Sequence, residues 1–124
     1  LGADEVIDYR TTDFTEAVED ADIVFDSVAD GARSLQVLKP GGVLVTILEH
    51  VNAELERTVQ EAGRRFAGVS VEPDYWALEQ IAELVDAGKL RPTIAETLPL
   101  EEVGKAHELV ASGDTVGKVV LTVD

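Results

Sequence analysis

The 124-residue chain contains no cysteine and no methionine. Without cysteine it can build neither a disulfide framework nor a thiolate metal site. Basic residues are scarce as well: 10 Lys+Arg stand against 25 Asp+Glu, for a formal net charge of -15. Such a surface repels phosphate backbones and anionic headgroups, which argues against nucleic acid or a membrane surface as partner. No apolar run approaches the roughly 18 residues needed to span a bilayer. What remains is a hydrophobic content of 45%, enough to bury one small core. The balance suits a soluble, cytoplasmic protein. Leu1-Gly2-Ala3-Asp4 reads as the end of a helix, with Leu1 as its last residue and Gly2 as its left-handed cap. A chain cut from a longer protein is therefore expected.

Hydrophobic spacing alternates between strand-like and helix-like segments. Residues 5–9 read as a short strand. Phe14, Ala17, Val18 and Ala21 fall on one helical face that Asp13 can cap. Ile23-Val24-Phe25 predicts a strand buried on both faces, as in a parallel sheet. Asp30 can cap a second helix with Leu35 and Leu38 inward, ended by Pro40-Gly41-Gly42. The most apolar strand runs over 42–48. Asn52 opens a third helix with Leu55, Val59 and Ala62 inward and Gly63 as its stop, and 66–71 is a fourth strand. Asp74 caps a fourth helix with Leu78, Ile81, Ala82 and Val85 inward, ended by Gly88. This βαβαβαβα rhythm predicts an α/β fold, a parallel sheet with flanking helices. After Gly88 the texture changes to an extended stretch, a helix that Pro99 precedes, running through Val103, Ala106 and Val110 and stopping at Gly113, and a last strand over 118–123, a segment expected to leave the main sheet.

In open parallel sheets, ligands sit beyond the carboxyl ends of the strands. Three such ends are readable: 8–10, 26–30 and 46–50. Their hydroxyls, carboxylates, single Tyr and single His suit holding a polar ligand better than activating a nucleophile. Asp30 reads as a helix cap and Asp26 as an acceptor for loop amides. His50 reads as a solvated loop residue, and the Arg64-Arg65 pair as a solubility feature. The chain contains no G-x-G-x-x-G, no G-x-x-x-x-G-K-[ST], no G-x-S-x-G and no HExxH. Two isolated histidines without cysteine build no zinc site, so no metal ligand is assigned. No catalytic residue can be named from the residues alone.

Several stretches resemble the medium-chain dehydrogenase/reductase superfamily in its quinone oxidoreductase-like and zinc-binding alcohol dehydrogenase branches. They are Leu1-Gly2-Ala3-Asp4-Glu5-Val6-Ile7-Asp8-Tyr9, Asp22-Ile23-Val24-Phe25-Asp26-Ser27-Val28, and Leu38-Lys39-Pro40-Gly41-Gly42. Gly88-Lys89-Leu90-Arg91-Pro92, Leu98-Pro99-Leu100-Glu101-Glu102 and Gly117-Lys118-Val119-Val120-Leu121 continue the series in family order. Each match alone is weak, and Leu38-Lys39-Pro40-Gly41-Gly42 also suits a methyltransferase; the ordered set is specific.

The resemblance implies the carboxyl-terminal fragment of an NAD(P)H-dependent oxidoreductase that transfers hydride to a quinone, enone or similar carbonyl compound. Residues 1–88 would be the later part of a Rossmann-like domain, and 89–124 a strand-helix-strand return segment that packs on a GroES-like domain. NADPH or NADH would belong to the full-length parent, with none held by this chain alone because the phosphate-binding turn is missing. Carried over by position, Tyr9 would lie near the adenosine phosphates, Ser27 and Val28 beside the ribose or nicotinamide, and Thr46, Ile47 and Leu48 along the nicotinamide pocket. The uncharged strand Phe66–Val71 would join its copy in a homodimer. Two alternatives stay open: a non-enzymatic truncated paralogue or dimerisation module, and a methyltransferase fragment, which predicts a β-hairpin at the end of the sheet.

Overall fold

The computed structural model describes residues 2–123. The chain packs as two compact units that meet in sequence between Glu72 and Pro73.

The first unit runs α1 (Phe14–Ala17), β1 (Ala21–Asp26), α2 (Gly31–Val37), β2 (Leu38–Thr46), α3 (Ala53–Glu61) and β3 (Arg65–Gly68). Its three strands are parallel in the order β1-β2-β3, as the alternating rhythm requires. β2 is central and carries Leu38 and Leu44, while α3 lays Leu55 and Val59, one turn apart, against them. Val24, Leu35 and Phe66 close the cluster. Burying each of the larger aliphatic side chains contributes about 1.5–3 kcal/mol. The expected caps on α1 and α3 are present: the Thr15 amide donates to Asp13 and the Leu55 amide to Asn52. Gly63 stops α3 with φ +71, a conformation that glycine adopts without cost.

Several expectations are corrected. Residues 5–8 form no strand: a strand needs a ladder partner, and Asp8 instead closes a turn with the amides of Thr11 and Thr12. The helix capped by Asp13 lasts four residues, with Val18 as its C-cap and Ala21 already in β1. β1 is not covered on both faces, because Ile23 and Phe25 are 64% and 62% exposed. α2 ends at Val37, before Pro40-Gly41-Gly42, which lies inside β2 as an irregularity: Ala21 pairs with Leu38 but Ile23 with Val43. Gly41 takes φ +76 there and donates its N–H to the Gly63 carbonyl. β3 stops at Gly68, short of Val71. Ala62 points to solvent. Arg64 is structural: its Nε and Nη2 both donate to the Leu38 carbonyl, at 3.1 and 2.8 Å. The helix end predicted at Leu1 lies outside the described residues; Gly2 has the expected left-handed φ of +88.

The second unit contains α4 (Tyr75–Asp86), β4 (Ile94–Pro99), a 3-10 turn (Leu100–Glu102), α5 (Val103–Ala111) and β5 (Lys118–Thr122). Asp74 caps α4 through the Ala77 amide, and Gly88 and Gly113 end the two helices with positive φ, all as read from the sequence. β4 and β5 pair in parallel as a separate two-stranded sheet, with Leu98 and Ala106 buried between strand and helix. A terminal hairpin, which a methyltransferase would require, is not formed by these strands. α4 departs from expectation: it has no buried residue, and Leu78, Ile81, Ala82 and Val85 are exposed. The spacing has the pattern of a covered face, yet Leu78 is 61% exposed and Ile81 and Val85 are only partly covered. No helix among the described residues is long and apolar enough to cross a membrane.

Candidate functional site

Parallel pairing aligns the three strand ends of the first unit: Asp26 is in register with Thr46, and Thr46 with Gly68. The ladder continues one step further, with the Ile47 amide on the Asp26 carbonyl (3.3 Å) and the Val69 amide on the Thr46 carbonyl (2.9 Å). The loops that leave this row are where a ligand of a parallel α/β sheet is met.

Asp26 is only 3% exposed, and its carboxylate accepts the amides of Val28 (2.9 Å) and Asp30 (3.0 Å). The sequence-based reading of Asp26 as a loop acceptor holds. Its grip bends the loop through Ala29, which takes φ +62, a value uncommon for a residue with a side chain. Asp30 sits at the N-cap of α2, yet its carboxylate does not cap the helix. It pairs with Arg33 at 2.9 Å, while the first amide of α2, Gly31, donates to Glu49.

The turn after β2 is fixed by its own side chains. Thr46 is fully buried, and its hydroxyl accepts the Glu49 amide at 3.1 Å. Glu49 holds Gly31 with one carboxylate oxygen (3.0 Å) and the Asn52 amide group with the other (3.1 Å). His50 is half-buried with Nδ1 3.1 Å from the Ile47 carbonyl, so it is part of the turn and not a solvated loop residue. A Cβ on Gly68 would overlap the His50 carbonyl, which is why β3 ends on glycine.

With these groups engaged, the row presents a specific surface. Ser27, Val28 and Leu48 are exposed and Ile47 half-buried, so a hydroxyl and three aliphatic side chains border the ends of β1 and β2. Thr46, expected beside them, is enclosed and acts on the turn. Tyr9 is exposed in the turn after Asp8, outside this row, with the Arg10 guanidinium 6.0 Å from its ring centre. Glu49 was not singled out from the sequence; its only signal was a carboxylate three residues before a capping Asn. A groove of about 260 Å³ runs between α2 and α3, lined in part by Leu35, Glu49, Asn52 and Leu55.

The chemistry on offer is holding, not reacting. Asp26 and Glu49 are occupied as acceptors, and the Thr46 hydroxyl is used within the turn. Arg33 is likewise committed: it bridges Asp13 at 2.6 Å and Asp30 at 2.9 Å and stacks 4.7 Å from the Phe14 ring centre. The Thr15 amide and hydroxyl, then Arg33, hold the Asp13 carboxyl below the usual carboxylate range. Among the described residues no group of three His, Cys, Asp or Glu side chains could hold a metal ion.

Comparison with known proteins gives this geometry a context. The family model described as zinc-binding dehydrogenase matches residues 1–121. The chain is 34% identical to the mitochondrial NAD(P)H oxidoreductase RTN4IP1 of Mus musculus, over 99% of this chain and 38% of that protein. It is 29% identical to a 2-haloacrylate reductase of a Burkholderia species, over 98% of this chain and 42% of the relative. Among solved structures, the quinone oxidoreductase of Coxiella burnetii superposes with a TM-score of 0.89 at 30% identity, covering 99% of this chain and 40% of that one. An NAD-dependent alcohol dehydrogenase superposes with a TM-score of 0.79 at 25% identity. The chain spans about two-fifths of the length of these relatives.

Proposed function

Because the chain belongs to the zinc-binding dehydrogenase family, we propose that it supplies the carboxyl-terminal part of an NAD(P)H-dependent oxidoreductase acting on a quinone, enone or related carbonyl compound. Its relatives are medium-chain oxidoreductases, and the chain would then join the later part of a Rossmann-like domain to a return segment, with a boundary after Gly88 that lies beyond α4 and so differs from the division between the two compact units after Glu72. In this reading residues 1–88 belong to the cofactor domain and 89–124 pack on a substrate domain. The observation that carries it is the row Asp26, Thr46, Gly68, with Ser27, Val28, Ile47 and Leu48 just beyond its first two members.

The bound nicotinamide would supply hydride transfer; the protein orients it and excludes water. Val28, Ile47 and Leu48 offer an apolar wall to the ring, and the Ser27 hydroxyl a hydrogen bond to ribose or carboxamide. Thr46 acts from beneath by holding the turn, and Tyr9 stands toward the adenosine phosphates. The chain has no glycine-rich phosphate turn, and Arg33 and Arg64 are engaged in the fold. The 124 residues alone should therefore bind dinucleotide weakly or not at all.

Two further parts of the reading concern assembly and place. β3 is the outer strand on its side of the three-stranded sheet, and the uncharged stretch 66–71 leaves Val69 and Val71 exposed. An outer strand followed by an uncharged stretch leaves an open edge for pairing, here with a second copy across a two-fold axis, with Arg65 as the one charge on β3. The acidic composition suits work in the cytoplasm. The test is to express the complete reading frame that contains this chain and titrate NADPH and NADH by fluorescence, with mass from light scattering. Binding of either dinucleotide and a dimeric mass support the reading; no binding of either overturns it, and a monomeric mass removes the dimer.

A further inference from the structure

Two loops border the proposed shelf, one leaving β1 with Ser27 and Val28 and one leaving β2 with Ile47 and Leu48. Asp26 secures only its own loop, reaching amides two and four residues on. Glu49 does something different. One of its carboxylate oxygens accepts the Gly31 amide, 18 residues away at the start of α2, and the other accepts the Asn52 side-chain amide within its own turn. Asn52 in turn accepts the Leu55 amide and so caps α3.

The carboxylate is held from several sides. The Glu49 amide is anchored on the buried Thr46 hydroxyl, and the Glu49 carbonyl accepts the Asn52 amide at 3.0 Å. At Gly31, a Cβ would come within 2.8 Å of the Glu49 carboxylate and would overlap Leu55, so glycine is what lets the carboxylate reach the backbone. On the far side of the turn, Gly68 leaves no room between β3 and His50. The turn is wedged among all three strand ends, and Glu49 is the strut that joins it to the β1 loop.

We propose that Glu49 is a positioning residue: by tying Gly31 to the 47–52 turn it sets the spacing between Ser27-Val28 and Ile47-Leu48, and with it the affinity for the nicotinamide half of the cofactor. This rests on the function proposed above. Glu49 need not touch the cofactor to act in this way.

The test uses the protein from the complete reading frame, with E49A, E49Q and wild type compared. Amide hydrogen exchange is read over 27–31 and 47–52, and NADPH affinity by fluorescence titration. E49A removes both acceptors; E49Q keeps one oxygen and can serve Gly31 or Asn52 but not both. The expected result is faster exchange in both loops for E49A and roughly 10- to 100-fold weaker NADPH binding, the size of one hydrogen bond to a charged group. E49Q should fall between E49A and wild type in both readouts. Faster exchange confined to 47–52, or unchanged NADPH affinity in a variant whose loops have loosened, overturns the proposal. If E49A fails to fold, E49Q against wild type decides by the same criteria. A wild-type protein that binds no NADPH overturns the functional reading itself, and is distinguished because it appears before any substitution is made.

Discussion

Asp26 offers the sharpest test of how the strand ends are built. Its side chain is buried, and the amides of Val28 and Asp30 converge on it at 2.9 and 3.0 Å. Asp26→Asn keeps the shape but replaces one acceptor oxygen with an NH2 group that faces an N–H. One amide loses its partner and the other exchanges a carboxylate for a neutral acceptor. A buried donor without an acceptor costs about 1–3 kcal/mol, and hydrogen bonds to charged groups contribute about 1.5–3 kcal/mol, so the loss should be about 2–3 kcal/mol. With a urea slope near 1–2 kcal/mol/M for a small unit, the unfolding midpoint should fall by roughly 1–3 M. Trp76 lies in the other unit and is 70% exposed, so the readout is taken from the backbone. Far-UV circular dichroism in urea, with amide exchange resolved over 27–31, is the appropriate assay. An unchanged midpoint together with unchanged exchange at Val28 and Asp30 would refute the role given to the carboxylate.

Two glycines should respond in opposite directions to alanine. Gly68→Ala places a methyl group on the His50 carbonyl, so β3 or the 47–52 turn must move and the first unit should lose stability and faster exchange should appear in that turn. Gly104→Ala meets nothing within 4 Å in α5 and should stabilise the second unit by about 0.5–1 kcal/mol, read from its denaturation midpoint. Asp13 should titrate below an ordinary carboxylate, chiefly because the Thr15 amide, and then the Thr15 hydroxyl and Arg33, favour its ionised form. A carboxyl whose folded pKa is depressed contributes stability that is present above the unfolded value of about 3.9 and is lost as pH falls through the folded value. Carbon-detected NMR titration of Asp13 should therefore show a lowered midpoint that rises in Arg33→Gln; a midpoint at or above the ordinary value would contradict the cap.

The features readable from the sequence were those decided by a few adjacent residues. Asp13, Asn52 and Asp74 announce helix starts because a cap is a bond over two or three residues, and Gly63, Gly88 and Gly113 announce stops because a left-handed residue is a local demand. Features decided by distant partners were not readable. Residues 5–8 have strand-like composition but no ladder, and Ile23, Phe25 and the apolar face of α4 have the pattern of buried surface without a cover. Pro40-Gly41-Gly42 has the composition of a helix stop, yet the bond from Gly41 to the Gly63 carbonyl draws it into β2. In the site, Asp26 was read correctly because its partners lie within four residues. Glu49 was passed over because the bond that defines it crosses 18 residues. Arg64 was misread for the same reason, its target being the Leu38 carbonyl 26 residues away.

One measurement bears most directly on the view that these strand ends form part of a hydride-transfer site. The protein from the complete reading frame is mixed with NADPH or NADH and a panel of quinone and enone acceptors, and loss of the reduced nicotinamide absorbance is followed. Acceptor-dependent oxidation is predicted with at least one of the two cofactors, slowed by Glu49→Ala, and absent from the 124 residues alone. A well-folded protein that oxidises neither cofactor with any acceptor would contradict it.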